Sequence, residues 1–128
     1  MSQTSLILMD DSGLNISLYG DPIRADGWWG YTDGKSTVSI HVQEFTGRVA
    51  LEATLSSEPT DDDWFPIWLL TTTPYVQMKD ETSSQTFTFE GNFTYVRAVL
   101  DRSYIQPQPT TNDQIQEYGK VRKILLNH

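Results

Sequence analysis

The chain has 128 residues, 38% apolar and 20% charged, with a net charge of −8 at pH 7. That is the size and composition of one globular domain, too apolar for a disordered chain. Cysteine is absent and histidine occurs twice, which excludes a disulfide scaffold, a thiol nucleophile and a cysteine- or histidine-rich metal site; the acidic balance argues against nucleic acid, whose phosphates need a surplus of Lys and Arg.

The first residues, MSQTSLILMDD, contain no basic leader, so no secretory signal is expected. The apolar run at residues 6–9 is far shorter than the roughly 20 residues of a membrane helix, and no membrane partner is expected. Strands are expected near residues 4–9 and 15–19. One domain covers 1–128, and residues 1–27 include a stretch that reads as an N-terminal arm.

Residues 28–56 read as three consecutive antiparallel strands. Asp33-Gly34 is a favoured hairpin pair, and Thr46-Gly47 marks the next turn. Between them Val38, Ile40 and Val42 alternate with polar residues; beyond them Val49, Leu51, Ala53 and Leu55 do the same. Period-two alternation puts one face on a core and the other toward water. Further strands are expected at 64–70 and 75–79. Pro66 lies inside the first of these, which places that strand at an edge or a bulge. Thr86-Phe87-Thr88-Phe89, Gly91-Asn92 and the run from Phe93 to Leu100 read as a hairpin over 85–100. Residues 106–112, rich in Pro, Gln and Thr, read as an ordered surface loop, and 119–126 as a last strand. The expected fold is therefore all-β: a two-sheet antiparallel β-sandwich, jelly-roll-like, of about 8–10 strands. A small closed barrel is the alternative.

Chemistry-bearing patterns are weak. Asp61, Asp62 and Asp63 lack the alternating ligands and glycine of a calcium loop, and read as a solvated turn. Glu44, Glu52, Glu90 and Asp101 are acidic, but no spacing pairs them as a glycosidase would need. His41 lies on the polar face of its strand with no nucleophile elbow nearby. No catalytic residue, metal ligand or cofactor site is assigned.

The aromatic residues carry more. Trp28 and Trp29 are adjacent, so in an extended chain they point to opposite faces, with Tyr31 beside them. Trp64 crowds the strand that also holds Phe65 and Trp68, and reads first as structural. If Val96, Ala98 and Leu100 face the core, then Tyr95, Arg97 and Val99 face out. Tyr and Arg are enriched at interface centres. Trp28, Trp29, Tyr31, Trp64, Tyr95 and Arg97 are the candidate binding residues, for a protein contact or a glycan. The runs Leu6-Ile7-Leu8 and Ile124-Leu125-Leu126 raise the same question of cover.

An ordered set of motifs carries a resemblance. Tyr31-Thr32-Asp33-Gly34, Phe45-Thr46-Gly47-Arg48-Val49-Ala50-Leu51-Glu52, Asp62-Asp63-Trp64-Phe65-Pro66-Ile67, Gly91-Asn92-Phe93-Thr94-Tyr95-Val96-Arg97-Ala98 and the closing Gly119-Lys120-Val121-Arg122-Lys123-Ile124-Leu125-Leu126 follow one another over residues 28–126. The set resembles small β-sandwich virion proteins of tailed bacteriophages, and the order is similar to galactose-binding-like jelly rolls. The resemblance implies a sandwich with a structural, assembly or adhesion role and no catalytic residues. It implies a non-enzymatic virion component of capsid decoration, neck, tail or baseplate, assembled in the host cytoplasm. Its expected partners are other virion proteins and further copies of itself. The alternative is a carbohydrate-binding module using surface tryptophans.

Overall fold

The computed structural model describes residues 5–11, 15–25 and 35–127. Its strands are β1 (Ser5–Asp10), β2 (Ser17–Tyr19), β3 (Ile23–Arg24), β4 (Lys35–Thr54), β5 (Phe65–Ile67), β6 (Val76–Glu90), β7 (Tyr95–Asp101) and β8 (Lys120–Asn127). The helical elements among the described residues are a 3-10 turn at Asp61–Asp63 and a short helix, α1 (Asn112–Gln116). The fold is all-β, as the period-two pattern requires. All pairings are antiparallel, and they join the strands into one continuous curled sheet, where the strand count points to two separate ones.

β4 organises the rest. One edge of it pairs with β6 from Lys35 to Val49 and then with β5 at residues 51–53. Its other edge pairs with β8 at residues 37–43 and then with β7 at residues 48–54. β1 adds outside β8, and β2 and β3 outside β7.

Connectivity forces this strand to fold back on itself. Glu90 stands opposite Lys35 at one end of β4, and Tyr95 opposite Thr54 at the other. The five links from Glu90 to Tyr95 reach at most about 19 Å, whereas a straight strand the length of β4 would run roughly 60 Å. The Phe93 ring records the closure. It lies 6.4 Å from Phe89, which pairs with Ser36, and 5.7 Å from Phe65, which pairs with Ala53.

The bend is a bulge, not a turn. The Thr46-Gly47 hairpin expected from sequence is absent, because β4 continues through that site as a single strand. The register with β6 slips between Val42 and Phe45, and again between Phe45 and Gly47. Glu44 takes φ 50° and Asp80, on the same irregular stretch of β6, φ 47°. Two threonines satisfy the backbone groups freed there. The Glu44 amide donates to Thr82 Oγ1 at 2.8 Å, and the Asp80 amide to Thr46 Oγ1 at 2.9 Å. The inserted residue also reverses side-chain phase. Val38, Ile40 and Val42 point inward before the bulge, and Phe45, Val49, Leu51 and Ala53 after it, all nearly inaccessible. The same happens on β6, so that 75–79 and 85–90, expected as separate strands, form one strand with Asp80 at its kink.

Other expectations shift for related reasons. β6 and β7 flank β4 on opposite edges, so Gly91-Asn92 is a crossing, not the tip of a hairpin between paired neighbours. Leu55, expected in the core, is 68% exposed because β4 ends one residue earlier. The strand expected at 64–70 shortens to β5, an edge strand carrying Pro66. Residues 106–112 are ordered through Gln108, whose amide donates to the carbonyls of Arg102, Ser103 and Ile105. The strand and hairpin expected at residues 28–34 lie outside the described residues.

The core fills the concave side of the curl. Leu8 and Met9 of β1, Val96, Ala98 and Leu100 of β7, and Val121, Ile124 and Leu126 of β8 join the β4 residues there. Both terminal apolar runs thus bury most of their side chains, while Ile7 stays exposed. β6 pairs only with β4, which leaves its other edge unpaired among the described strands. The Asp80 kink, with exposed Lys79 and a half-buried Glu81 beside it, blunts that edge against further pairing.

Arg102 is fully buried directly after β7. Its Cζ lies 5.0 Å from the Phe45 ring centre, and Nη2 donates to the Gly119 carbonyl at 2.9 Å. Gly119 itself has φ 66°, and a Cβ there would collide with the backbone oxygens of Gln43 and Glu44 at the bulge. Gly119→Ala is therefore expected to destabilise the fold by about 3 kcal/mol, combining a left-handed backbone with a backbone clash. Urea unfolding measures it; a loss under about 1 kcal/mol would show that the bulge does not depend on this close approach.

Candidate functional site

Because Val49, Leu51 and Ala53 point inward, Arg48, Ala50 and Glu52 point outward from β4. Register places Asp101, Val99 and Arg97 of β7 directly opposite them. Tyr19 of β2 stands beside Val99, and Gln77 of β6 beside Arg48. The outer face of the second half of β4 thus carries two arginines with a small apolar strip, Ala50 and Val99, between them.

Each arginine is held between two aromatic rings. The Arg97 Cζ lies 4.5 Å from the Tyr19 ring centre and 4.2 Å from that of Trp64. Its Nε and Nη2 donate to Glu52 Oε1 at 2.8 and 2.7 Å, with both side chains largely shielded from water. The Arg48 Cζ lies 4.4 Å from the Tyr75 ring centre and 4.1 Å from that of Tyr104. Its Nε donates to Gln77 Oε1 at 3.1 Å. A guanidinium stacked on a ring is worth roughly 0.5–2 kcal/mol per contact, more as water is excluded, and Arg suits both stacking and planar hydrogen bonding.

Asp101 faces Arg48 in register, yet its Oδ1 is occupied by Ser103, whose amide and hydroxyl donate at 2.8 and 2.6 Å. The Ser103 hydroxyl is the main cause holding the Asp101 carboxyl below its ordinary range; partial burial opposes this, and Arg48 adds to it. Burial pushes the Tyr104 phenol up, with Arg48 pulling the other way.

The two halves of the sheet differ sharply on their outer sides. The exposed large apolar residues among those described are Ile7, Tyr19, Leu55, Phe65, Trp68 and Leu70. Of these, register places Tyr19 on the outer face beside Val99, whereas Phe65, opposite inward-pointing Ala53, opens from the inner face at the sheet's edge. The first half instead presents Thr37, Ser39, His41, Ser84, Thr86 and Thr88. Thr37 and Thr88 are hydrogen-bonded at 3.1 Å, and His41 is held by Ser84 at 2.7 Å and Ser39 at 3.0 Å.

Of the residues singled out from sequence, Trp64 and Arg97 meet directly. Tyr95 is half-buried one outward row further on, opposite Thr54 and Arg24. Trp28, Trp29 and Tyr31 lie outside the described residues. Tyr19, Arg48, Tyr75 and Tyr104 were not singled out. Arg48 was legible as an outward residue of its strand; the three tyrosines come from separate segments, and no local spacing links them to it. The acidic candidates do not form a pair. Glu44 and Glu90 are exposed, Glu52 is bound to Arg97, and Asp101 lies four residues along β7 from Arg97. That offset is about 13 Å, beyond the carboxylate separations of glycosidases. Asp61–Asp63 form an exposed 3-10 turn in which Asp63 accepts from the Thr60 amide at 2.7 Å. No group of His, Asp and Glu that could hold a metal occurs among the described residues. No described helix is long and apolar enough to cross a membrane.

The chain matches no family model, no curated protein and no solved structure.

Two outcomes follow from this geometry. A double-mutant cycle of Glu52→Gln and Arg97→Met is expected to give a coupling of about 1 kcal/mol, at the upper end for pairs that retain some exposure; a value near zero would make the pair incidental. Ser103→Ala is expected to raise the Asp101 pKa toward 3.8, read by carbon-detected NMR titration. A carboxyl depressed in the folded state adds stability above its unfolded pKa and loses it as pH falls through the folded value. The variant should therefore be less stable than the parent at neutral pH, with the difference closing as pH falls through the parent's folded value, and an unchanged Asp101 titration would remove Ser103 as the cause.

Proposed function

We propose that the chain is a non-enzymatic structural protein of a tailed-phage virion, binding other particle proteins through the outer face of the second half of β4. The observation that carries this reading is the asymmetry of the sheet. On the outer side of the second half of β4 two arginines are immobilised among Tyr19, Trp64, Tyr75 and Tyr104, while the outer side of the first half is a hydrogen-bonded serine–threonine surface. Tyr, Trp and Arg are the residues that dominate binding energy at protein interfaces, and holding them rigid beforehand lowers the entropy lost on docking. The ordered motifs over residues 28–126 support the virion setting. The acidic residues of the face are each committed to a neighbour, which supports binding over catalysis.

The test pairs a location with a surface. Mass spectrometry of purified virions should find the chain, and light scattering should find association that Tyr19→Ser with Trp68→Ser abolishes while the thermal midpoint moves by only a few degrees. A chain absent from virions and monomeric at high concentration would overturn the reading. Saturable signal on a glycan array, lost in the same variant, would replace it with the carbohydrate-binding alternative.

A further inference from the structure

Arg97 and Arg48 are the same device built twice, and only one of them contains its own anion. In both, a guanidinium lies between two aromatic rings on the outer face of the sheet. In the first, Glu52 fills the donor edge with two short hydrogen bonds. In the second, the side chain that takes Nε is the neutral Gln77. The nearest carboxylate in register, Asp101, accepts from Ser103 instead. Among the described residues no carboxylate lies within ion-pair distance of Arg48.

From this contrast we infer that Arg48, with Tyr75 and Tyr104, is a docking point for an Asp or Glu side chain of a partner protein. The inference rests on the proposed interaction face and names the chemistry of what that face receives. The two rings, at 4.4 and 4.1 Å from Cζ, confine the guanidinium, and Gln77 holds it through Nε. The two Nη groups then present a planar fork that matches the two oxygens of a carboxylate. Charge complementarity favours a carboxylate over a phosphate. Arg48 supplies one positive charge and Asp101 sits beside it, so at the fork itself a dianionic group meets more repulsion than a single carboxylate does. Glu52 on Arg97 shows, within the same molecule, the group that such a site accepts.

The test follows the Arg48 side-chain Nε–H resonance by NMR, in the full chain at physiological salt, during titration with hexaglutamate, hexaglutamine or inorganic phosphate. Hexaglutamate is expected to shift it saturably and hexaglutamine to leave it in place, with phosphate at least about tenfold weaker than hexaglutamate. Arg48→Gln and the charge-preserving Arg48→Lys, followed through the backbone amides of Tyr75 and Tyr104, are each expected to weaken hexaglutamate at least about tenfold, the loss of one charge-assisted forked contact. An Arg48 resonance that ignores hexaglutamate, a phosphate response equal to it, or undiminished binding by Arg48→Lys would each overturn the inference. If that happens while Tyr19→Ser with Trp68→Ser still abolishes association, the carboxylate falls and the interaction face stands.

Discussion

The structure depends on one length mismatch. A strand of twenty residues must bring its ends close enough for a short loop to pass from one to the other. A regular strand cannot do this, since its twist and pleat bend it only gently. The chain meets the demand by inserting a residue into β4 and another into β6 at the same level, and by tying each kink to the opposite strand through a threonine hydroxyl. Phe45, Gly47, Arg102 and Gly119 pack around the kink from inside, which leaves little room for it to relax.

The outer face that carries the two arginines inherits its order from that bend. Phase reversal at the bulge keeps apolar residues on the concave side through both halves of β4, and so fixes Arg48 and Glu52 on the convex side. The stacking partners then arrive from elsewhere: Tyr19 from β2, Trp64 from the turn before β5, Tyr75 from the approach to β6 and Tyr104 from the segment after β7. Four distant segments converge on two arginines. Their positions are set by tertiary packing of the sheet itself.

Strand content and inward sets were legible because alternation is local. Val38 to Val42, Val49 to Ala53 and Val96 to Leu100 could be assigned to the core from their spacing alone. The bulge was also written there, as a change of parity between Val42 and Val49, but Thr46-Gly47 at that point has the composition of a turn. A turn and a bulge use the same permissive residues, and what separates them is whether the following strand pairs back or continues, a long-range matter. The Arg97–Trp64 contact was half visible, since each was marked as an outward candidate. Its counterpart at Arg48 was not, because tyrosines in irregular segments carry no period that would aim them at a strand.

The position of β8 has a consequence for how the chain acquires its shape. β1 does not pair with β4 directly; β8 lies between them and supplies the ladder to both. During synthesis the segment that starts the sheet therefore waits, its edge unfilled, until residues 120–127 have left the ribosome. Contacts this distant in sequence make ordering slow and collective, and they expose Leu6, Leu8 and Met9 to the nascent chain's surroundings until β8 is in place.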